Sequence, residues 1–278
     1  MSVIELTIII LIGSYFAGLL GSLTGLGGGF IIVPLLTIAL HVDIHYAIGA
    51  SLISVIATSS GSAAAYVKEG ITNMRLGMFL EIATTTGAMA GAILAIYTPT
   101  HYIAILFGLI LISSALMSLQ KKRVQTTIHQ SYLAQKLKLN GSYPTAQGTV
   151  EYGVTNIIGG FFTMLFAGVI SGLLGIGSGA LKVVAMDGIM KIPFKVSTTT
   201  SNFMIGVTAA ASAVVYLQRG YIDPGLSMPV VIGVLLGAMT GSKILVNSGS
   251  SKWIRVIFAV VVSAVAVQMI YNGITGKI

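Results

Sequence analysis

Two glycine clusters are the first candidates for chemistry in this sequence. Each lies between the end of a long apolar segment and the start of a short one, and together they comprise Gly25, Gly27, Gly28, Gly29, Gly175, Gly177, Ser178 and Gly179. Glycine permits tight turns and close backbone approach. The free N–H groups and the positive dipole end of a following helix favour an anion. The alternative is that these glycines only allow helices to pack closely in a membrane.

Lys182 is the most informative single residue near these clusters. It follows the second cluster inside a short apolar segment, where the repeat-equivalent residue is Ile32. A cation inside a membrane is costly and marks a functional site by default. We therefore predict that Lys182 binds an anionic substrate. The alternative is that its long side chain extends to the outer interface.

Hydroxyl side chains form matched stripes in the third and eighth apolar segments. Helical spacing places each stripe on one face, and the members are Ser51, Ser54, Thr58 and Ser62, then Thr198, Ser201, Thr208 and Ser212. Such hydroxyls can donate to an oxyanion, but they also join helices to one another. From the stripes we predict substrate contacts for Ser51 and Ser201. Asn202, beside Ser201, is a further candidate, with interhelical bonding as its alternative.

The remaining polar residues give weaker predictions. Glu81, whose repeat partner is Val231, is a candidate for carrying a coupling proton because burial favours a neutral carboxyl group. Its alternatives are a position at the cytoplasmic headgroups or pairing with a lysine, and Asp187, before Lys191, is expected at the interface. His41 and His45 lack a third ligand, so no metal site and no cofactor are predicted.

The composition places these residues in a membrane protein. Of 278 residues, 55% are hydrophobic and 8% are charged, whereas soluble domains carry about 25% charged residues. The absence of cysteine excludes disulfides and thiolate metal sites. The 15 basic residues are scattered between apolar segments, so we expect no nucleic-acid partner. Residues 1–5 lack a basic signal-peptide region, and the first segment is expected to be a retained helix.

Ten apolar segments can be traced along the chain. They lie near residues 3–23, 30–41, 47–66, 76–97, 102–119, 152–174, 179–190, 197–217, 226–246 and 253–272. The second and seventh are too short for a hydrocarbon core of about 30 Å. In the polar stretch 120–150, residues 137–139 and 148–152 flank 140–144 and predict a short hairpin.

The chain also repeats itself at an offset of 150 residues without gaps. Identical residues fall in the same motifs, for example Ser51 with Ser201 and Gly87 with Gly237. We predict an all-α polytopic membrane protein of about ten transmembrane helices in two inverted-topology repeats of five, with short broken helices after the glycine turns. The expected divisions are a first repeat at 1–119, a cytoplasmic connector at 120–150 and a second repeat at 151–278.

Basic residues predict the orientation of these helices. With ten crossings and the connector inside, twelve of them face the cytoplasm, namely Lys68, Arg75, Lys121, Lys122, Arg123, Lys136, Lys138, Lys191, Lys195, Lys243, Lys252 and Arg255. The positive-inside rule favours this arrangement over eight crossings. We expect the protein in the cell (plasma or inner) membrane, with both termini on the side opposite the cytoplasm. Inverted repeats are typical of secondary transporters, and no P-loop motif for direct ATP drive occurs.

The paired motifs resemble a known family. The first glycine turn, the following Pro34, the element Gly49-Ala50-Ser51 and the second-half copy resemble the sulfite exporter TauE/SafE family over nearly the whole chain. Ser178 and Val184 depart from the first-half pattern of Gly28 and Pro34. The resemblance implies an integral membrane carrier, not an enzyme, for sulfite, sulfonates or another small organic anion.

We therefore predict a secondary transporter of a small anion, an exporter by its resemblance, that works by alternating access. The alternatives are an anion channel and a non-transporting membrane assembly or receptor component. Expected partners are the anionic substrate and the lipid bilayer, and proton or sodium coupling and a homo-oligomer are compatible with the sequence. An intramembrane enzyme is disfavoured because no nucleophile–base pair or paired carboxylates occur at workable spacing.

Overall fold

The computed structural model describes residues 3–24, 28–68, 70–119, 131–145, 148–248 and 252–277. In the first half, the elements in chain order are α1 (Val3–Thr24), α2 (Gly29–Pro34) with its π-helical continuation (Leu35–Ala39), α3 (Ile44–Lys68), α4 (Met74–Tyr97) and α5 (Thr100–Leu119). Pro34 lies inside α2, next to the change from α- to π-helix. A π-helical turn widens the helix locally and is frequent at functional sites.

The second half contains the same series of elements. They are α7 (Ile157–Leu174), α8 (Gly179–Val184) with its π-helical continuation (Ala185–Ile189), α9 (Phe194–Gln218), α10 (Pro224–Ser248) and α11 (Lys252–Thr275). The π-helical turn recurs although Val184 stands at the position of Pro34. The change of helix type therefore does not depend on proline.

Helices from opposite halves pack against each other. The main pairs are α1 with α10, α4 with α7, α3 with α9 and α5 with α11. A methyl group on Gly18 would overlap the carbonyl oxygen of Val234, and one on Gly168 would overlap that of Thr84 at the equivalent crossing. Gly87 lies in the same way against Leu165. Small residues thus let the backbones approach closely, as they do in membrane helix pairs.

The outer surface of this bundle is apolar. Large side chains point outward, for example Phe162, which is 65% exposed, and Phe166, which is 62% exposed. Within the described residues, the helices that are long and apolar enough to cross a bilayer are Ile4–Ser22, Met74–Tyr97, Ile157–Leu174, Phe194–Gln218 and Pro224–Gly241. Shorter apolar helices accompany them at Gly29–Ala39, Ile44–Ser60, Thr100–Leu116 and Ala259–Thr275. The chain is an all-α polytopic membrane protein, as predicted.

A small hairpin lies between the halves. Its antiparallel strands are β1 (Gly141–Thr145) and β2 (Gly148–Tyr152). The short helix α6 (Tyr132–Lys136) precedes them. The second strand was predicted correctly. The first was predicted wrongly, because residues 137–139 do not form a strand and the stretch expected to turn is itself β1. The ladder runs from the pair Gly141 and Tyr152 to the pair Thr145 and Gly148.

Asn73 attaches this hairpin to the helices. Its Nδ2 donates to the Leu139 carbonyl at 2.9 Å and to the Tyr152 hydroxyl at 2.9 Å. Its side-chain oxygen caps α4 by accepting from the Leu76 amide at 3.0 Å. Its own amide donates to the Thr200 hydroxyl of α9 at 3.1 Å. One residue, through its side chain and its backbone amide, thus joins the hairpin, α4 and α9.

Candidate functional site

The second glycine turn connects α7 to α8. Helix α7 ends where Gly175 adopts a φ of 68°, and the Gly175 amide donates to the Ser171 carbonyl at 2.8 Å. Gly177 has a φ of 69° and Ser178 a φ of 45°, so the chain reverses through left-handed backbone conformations. In the first cluster, Gly25 and Gly27 lie outside the described residues. Gly28 has a φ of −79° and precedes α2, which begins at Gly29.

The two halves meet at the second turn. The Ser51 hydroxyl on α3 donates to the Gly175 carbonyl at 2.8 Å. Gly29 lies at the same place, because a Cβ atom there would overlap the Ser51 hydroxyl and would lie 3.2 Å from the Gly175 oxygen. The glycine at position 29 therefore allows the start of α2 to approach the opposite half. Predicted residues Gly29, Ser51 and Gly175 are brought together.

A hydroxyl on α9 holds the beginning of α8. The Ser201 hydroxyl donates to the Gly179 carbonyl at 3.1 Å, and Asn202 beside it is buried. Among the described residues, no group hydrogen-bonds the buried hydroxyl of Ser178. Ser51 and Ser201 therefore each use their proton on a turn carbonyl in this conformation, while the Ser178 hydroxyl keeps its hydrogen-bonding capacity.

Lys182 is fully buried and does not extend to an interface. Its Nζ donates to the Thr208 hydroxyl on α9 at 2.5 Å. That hydroxyl in turn donates to Oε1 of Glu81 on α4 at 2.6 Å. Glu81 is 7% exposed, so it lies inside the bundle and not among headgroups. The pattern in the sequence singled out both charged residues but did not predict that one threonine connects them.

The two charges interact without a direct ion pair. Among the described residues, no carboxylate oxygen lies within 4.0 Å of Lys182 Nζ, and the Thr208 hydroxyl separates the ammonium from the carboxylate. Unit charges about 5 Å apart attract by roughly 3 kcal/mol at an effective dielectric constant of 20. The second oxygen of Glu81, Oε2, is buried and has no hydrogen-bond partner among the described residues. The charges of Lys182 and Glu81 therefore cancel, and Oε2 of Glu81 can still accept a hydrogen bond.

Thr208 is the residue that sequence reasoning left out of the predicted site. Its signal was present, since Thr208 repeats Thr58 and lies in the polar stripe of α9.

His45 does not belong to this site. Its Nδ1 contacts Asp43 at 3.0 Å, and its Nε2 contacts the Ala95 carbonyl at 3.1 Å. In the described part of the chain, no three potential metal ligands cluster.

A comparison with known proteins places this arrangement in a family. The family model described as "Sulfite exporter TauE/SafE" matches residues 10–269. The chain belongs to the sulfite exporter TauE/SafE family. The match spans both glycine turns and the Lys182–Thr208–Glu81 contacts, so the TauE/SafE region contains all of the candidate site.

Similar curated proteins cover nearly the same length as this TauE/SafE chain. The probable membrane transporter protein YunE of Bacillus subtilis is 30% identical over 96% of this chain and 98% of its own. The probable membrane transporter protein YdhB of the same organism is 27% identical over 84% and 89%. A probable membrane transporter protein of Xylella fastidiosa is 24% identical over 96% of each chain. No solved structure matches at a significant level.

Family and relatives together indicate a multi-pass membrane transporter. They also point away from an enzyme, in agreement with the prediction from sequence.

Proposed function

We propose that this protein is a secondary transporter that exports a small oxyanion, such as sulfite or a sulfonate, by alternating access. The binding site consists of the two glycine turns (Gly25–Gly29 and Gly175–Gly179), Ser51, Ser201, Asn202 and the charge of Lys182. Sulfite as substrate is what the family description suggests. The transport direction is taken from the same description.

The observation that carries the proposal is the complete burial of Lys182, one helical turn after the second glycine turn. Burying a cation inside a membrane protein is expensive, and such residues mark ion or substrate pathways. The Ser178 hydroxyl, buried and without a partner among the described residues, supports an anion at the same turn. An oxyanion satisfies both groups.

The packing of the halves supports alternating access. Ser51 of the first half holds a carbonyl of the second half at the turn. This hydrogen bond between the halves can break and re-form as the site opens first to one side of the membrane and then to the other. We propose further that the protein lies in the cell or inner membrane, with the connector in the cytoplasm and both termini outside, as the basic residues indicate.

Transport by purified protein in proteoliposomes tests this function. Wild-type protein should show saturable uptake and counterflow of sulfite or methanesulfonate, and Lys182→Ala should abolish both. Exposed Lys195 provides the control, because Lys195→Ala removes the same charge away from the site and should leave transport intact. A double variant, Lys182→Met with Glu81→Gln, removes both charges and separates loss of binding from loss of folding.

The outcomes separate this proposal from its alternatives. Uptake without saturation or counterflow would support an anion channel. No flux of any tested anion by folded wild-type protein would support an assembly or receptor component. Unchanged uptake and affinity in Lys182→Ala would contradict the proposed site.

A further inference from the structure

The buried charges break the internal symmetry of the protein. Lys182 replaces Ile32 of the first half, and Glu81 replaces Val231 of the second. The two residues lie about 100 positions apart in sequence and in different halves, yet both contact Thr208. Two independent departures from the repeat thus converge on a single hydroxyl group. A common role is the simplest explanation for that convergence.

The contacts have a definite direction. The ammonium of Lys182 donates to the Thr208 hydroxyl, and this hydroxyl donates its one proton to Oε1 of Glu81 at 2.6 Å, which is nearer than its other acceptor, the Met204 carbonyl at 2.9 Å. The Glu81 carboxylate is the last acceptor in this series of hydrogen bonds. Its negative charge balances the lysine, as a transported oxyanion would. Its Oε2 has no partner among the described residues and can accept a proton while Oε1 keeps its bond.

The other titratable groups near Glu81 have their own partners or lie far along the helices. Helix α7, packed against α4, contains none. On α9, exposed Lys195 lies 13 residues before Thr208, and the Tyr216 hydroxyl donates to the Gly172 carbonyl. On α3, His45 contacts Ala95 at the other end of α4. Asp187, in the π-helical continuation of α8, interacts electrostatically with Lys191, and its Oδ1 has no hydrogen-bond partner among the described residues.

The beginning of α4 also carries Arg75. Its guanidinium group donates to the Lys138 carbonyl at 3.5 Å, outside the helices. Within the described residues, Lys182 is therefore the charged group that faces Glu81. The protonation of Glu81 and the occupancy of Lys182 by an anion must influence each other, because each changes the charge that the other experiences.

We propose that Glu81 is an internal counter-ion that a transported anion replaces, and that the protein therefore carries one proton with each monovalent anion. In the empty site, Lys182 is cationic and Glu81 anionic. When the anion binds Lys182, a proton from water adds to Glu81, so the loaded site again has no net charge. On release, the anion leaves Lys182 and the proton leaves Glu81. The inference rests on the proposed function and defines its coupling ion.

This exchange predicts how the transporter responds to gradients. The empty and loaded sites have the same charge, so transport of a monovalent anion is electroneutral. A pH gradient drives the anion away from the more acidic side, so export toward a more acidic exterior requires an outward gradient of the anion. A membrane potential alone drives no transport. Without the carboxylate, the empty site is cationic and no proton accompanies the anion, so the pH gradient loses its effect.

The test uses full-length protein in proteoliposomes with labelled methanesulfonate, which carries no proton of its own near neutral pH. Counterflow at equal pH measures binding and exchange, and a pH dye inside the vesicles measures proton movement. Sulfite, corrected for passive entry into protein-free vesicles, is the second probe. We expect about one proton per methanesulfonate in wild-type protein, and a pH gradient of one unit should drive accumulation of the anion up to about tenfold, because the tenfold proton gradient is balanced by an equal anion gradient.

Glu81→Gln keeps the size of the side chain but cannot bind the proton. We expect measurable counterflow but no stimulation by the pH gradient and no proton movement. Glu151→Gln, the same change at an exposed position of β2, should behave like wild type. Wild-type counterflow without proton movement would overturn the inference while leaving the proposed function in place, and so would pH-driven uptake by Glu81→Gln. Absence of counterflow for both probes in wild-type protein would overturn the two together.

Discussion

Replacement of Thr208 by valine should destabilise the protein far more than its size suggests. The change keeps the shape of the side chain but removes the hydroxyl that accepts from Lys182 and donates to Glu81. Hydrogen bonds to charged groups contribute about 1.5–3 kcal/mol each. Losing both, with two buried charges left poorly paired, should lower the free energy of unfolding by roughly 3–5 kcal/mol. For a chain of this length that corresponds to a drop in Tm of about 5–9 °C.

Thermal unfolding of detergent-purified variants measures this effect, with Thr199→Val as the matched control. Thr199 is a buried threonine on the same helix, but its hydroxyl bonds the Lys195 and Val196 carbonyls of its own helix. Its replacement should cost at most about 1 kcal/mol, because such bonds contribute little to helix stability.

A double-mutant cycle then isolates the charges. In a protein that already carries Lys182→Met and Glu81→Gln, Thr208→Val should cost only about 1 kcal/mol, since the hydroxyl no longer joins two charges. Equal costs for Thr208→Val in the wild-type and doubly substituted proteins would refute the reasoning. So would equal costs for Thr208→Val and Thr199→Val in the otherwise wild-type chain.

Two further predictions concern packing and the connector. Gly87→Ala should reduce the yield of folded protein and lower its Tm, because a methyl group would overlap the Leu165 carbonyl, whereas Gly188→Ala has room and should not; equal melting temperatures would contradict the close crossing. Burial raises the pKa of Tyr152 to about 12, so its contribution to stability is complete below about pH 10, where the unfolded phenol begins to ionise, and is lost as the pH rises through about 12. The late-titrating part of the tyrosinate absorbance should be smaller in Tyr152→Phe than in wild type, and a variant titration identical to wild type would exclude this assignment.

Much of the fold could be predicted because membrane helices leave strong signals in sequence. Apolar segments predicted the ends of α1, α4, α5 and α11 to within three residues, whereas the segment for α7 was predicted to begin five residues too early. The repeat gave the recurrence of a short helix after each glycine turn. The register of the hairpin could not be read in the same way, because residues 137–139 and 141–145 are both short and of mixed polarity. Tertiary contacts of Asn73 and Tyr152 determine which of them forms the strand.

The candidate site was only partly accessible for a physical reason. A charge in an apolar segment can be recognised locally, which is how Lys182 and Glu81 were identified. Their mutual contact depends on how α4, α8 and α9 pack, and no spacing in the sequence encodes a contact between elements of different halves. Comparison of repeat partners was the available clue, since Ile32 and Val231 mark both positions as exceptions.

The crossing of α1 with α10 has a consequence for biosynthesis. Gly18 packs against Val234, which the ribosome adds 216 residues later. At about 5–20 residues per second, the glycine-lined face of α1 waits for roughly 10 to 40 s before its partner is made. During that time lipid or a chaperone must cover it. The first half therefore cannot complete its packing alone, and a chain truncated before α10 leaves α1 without the helix against which it is shaped.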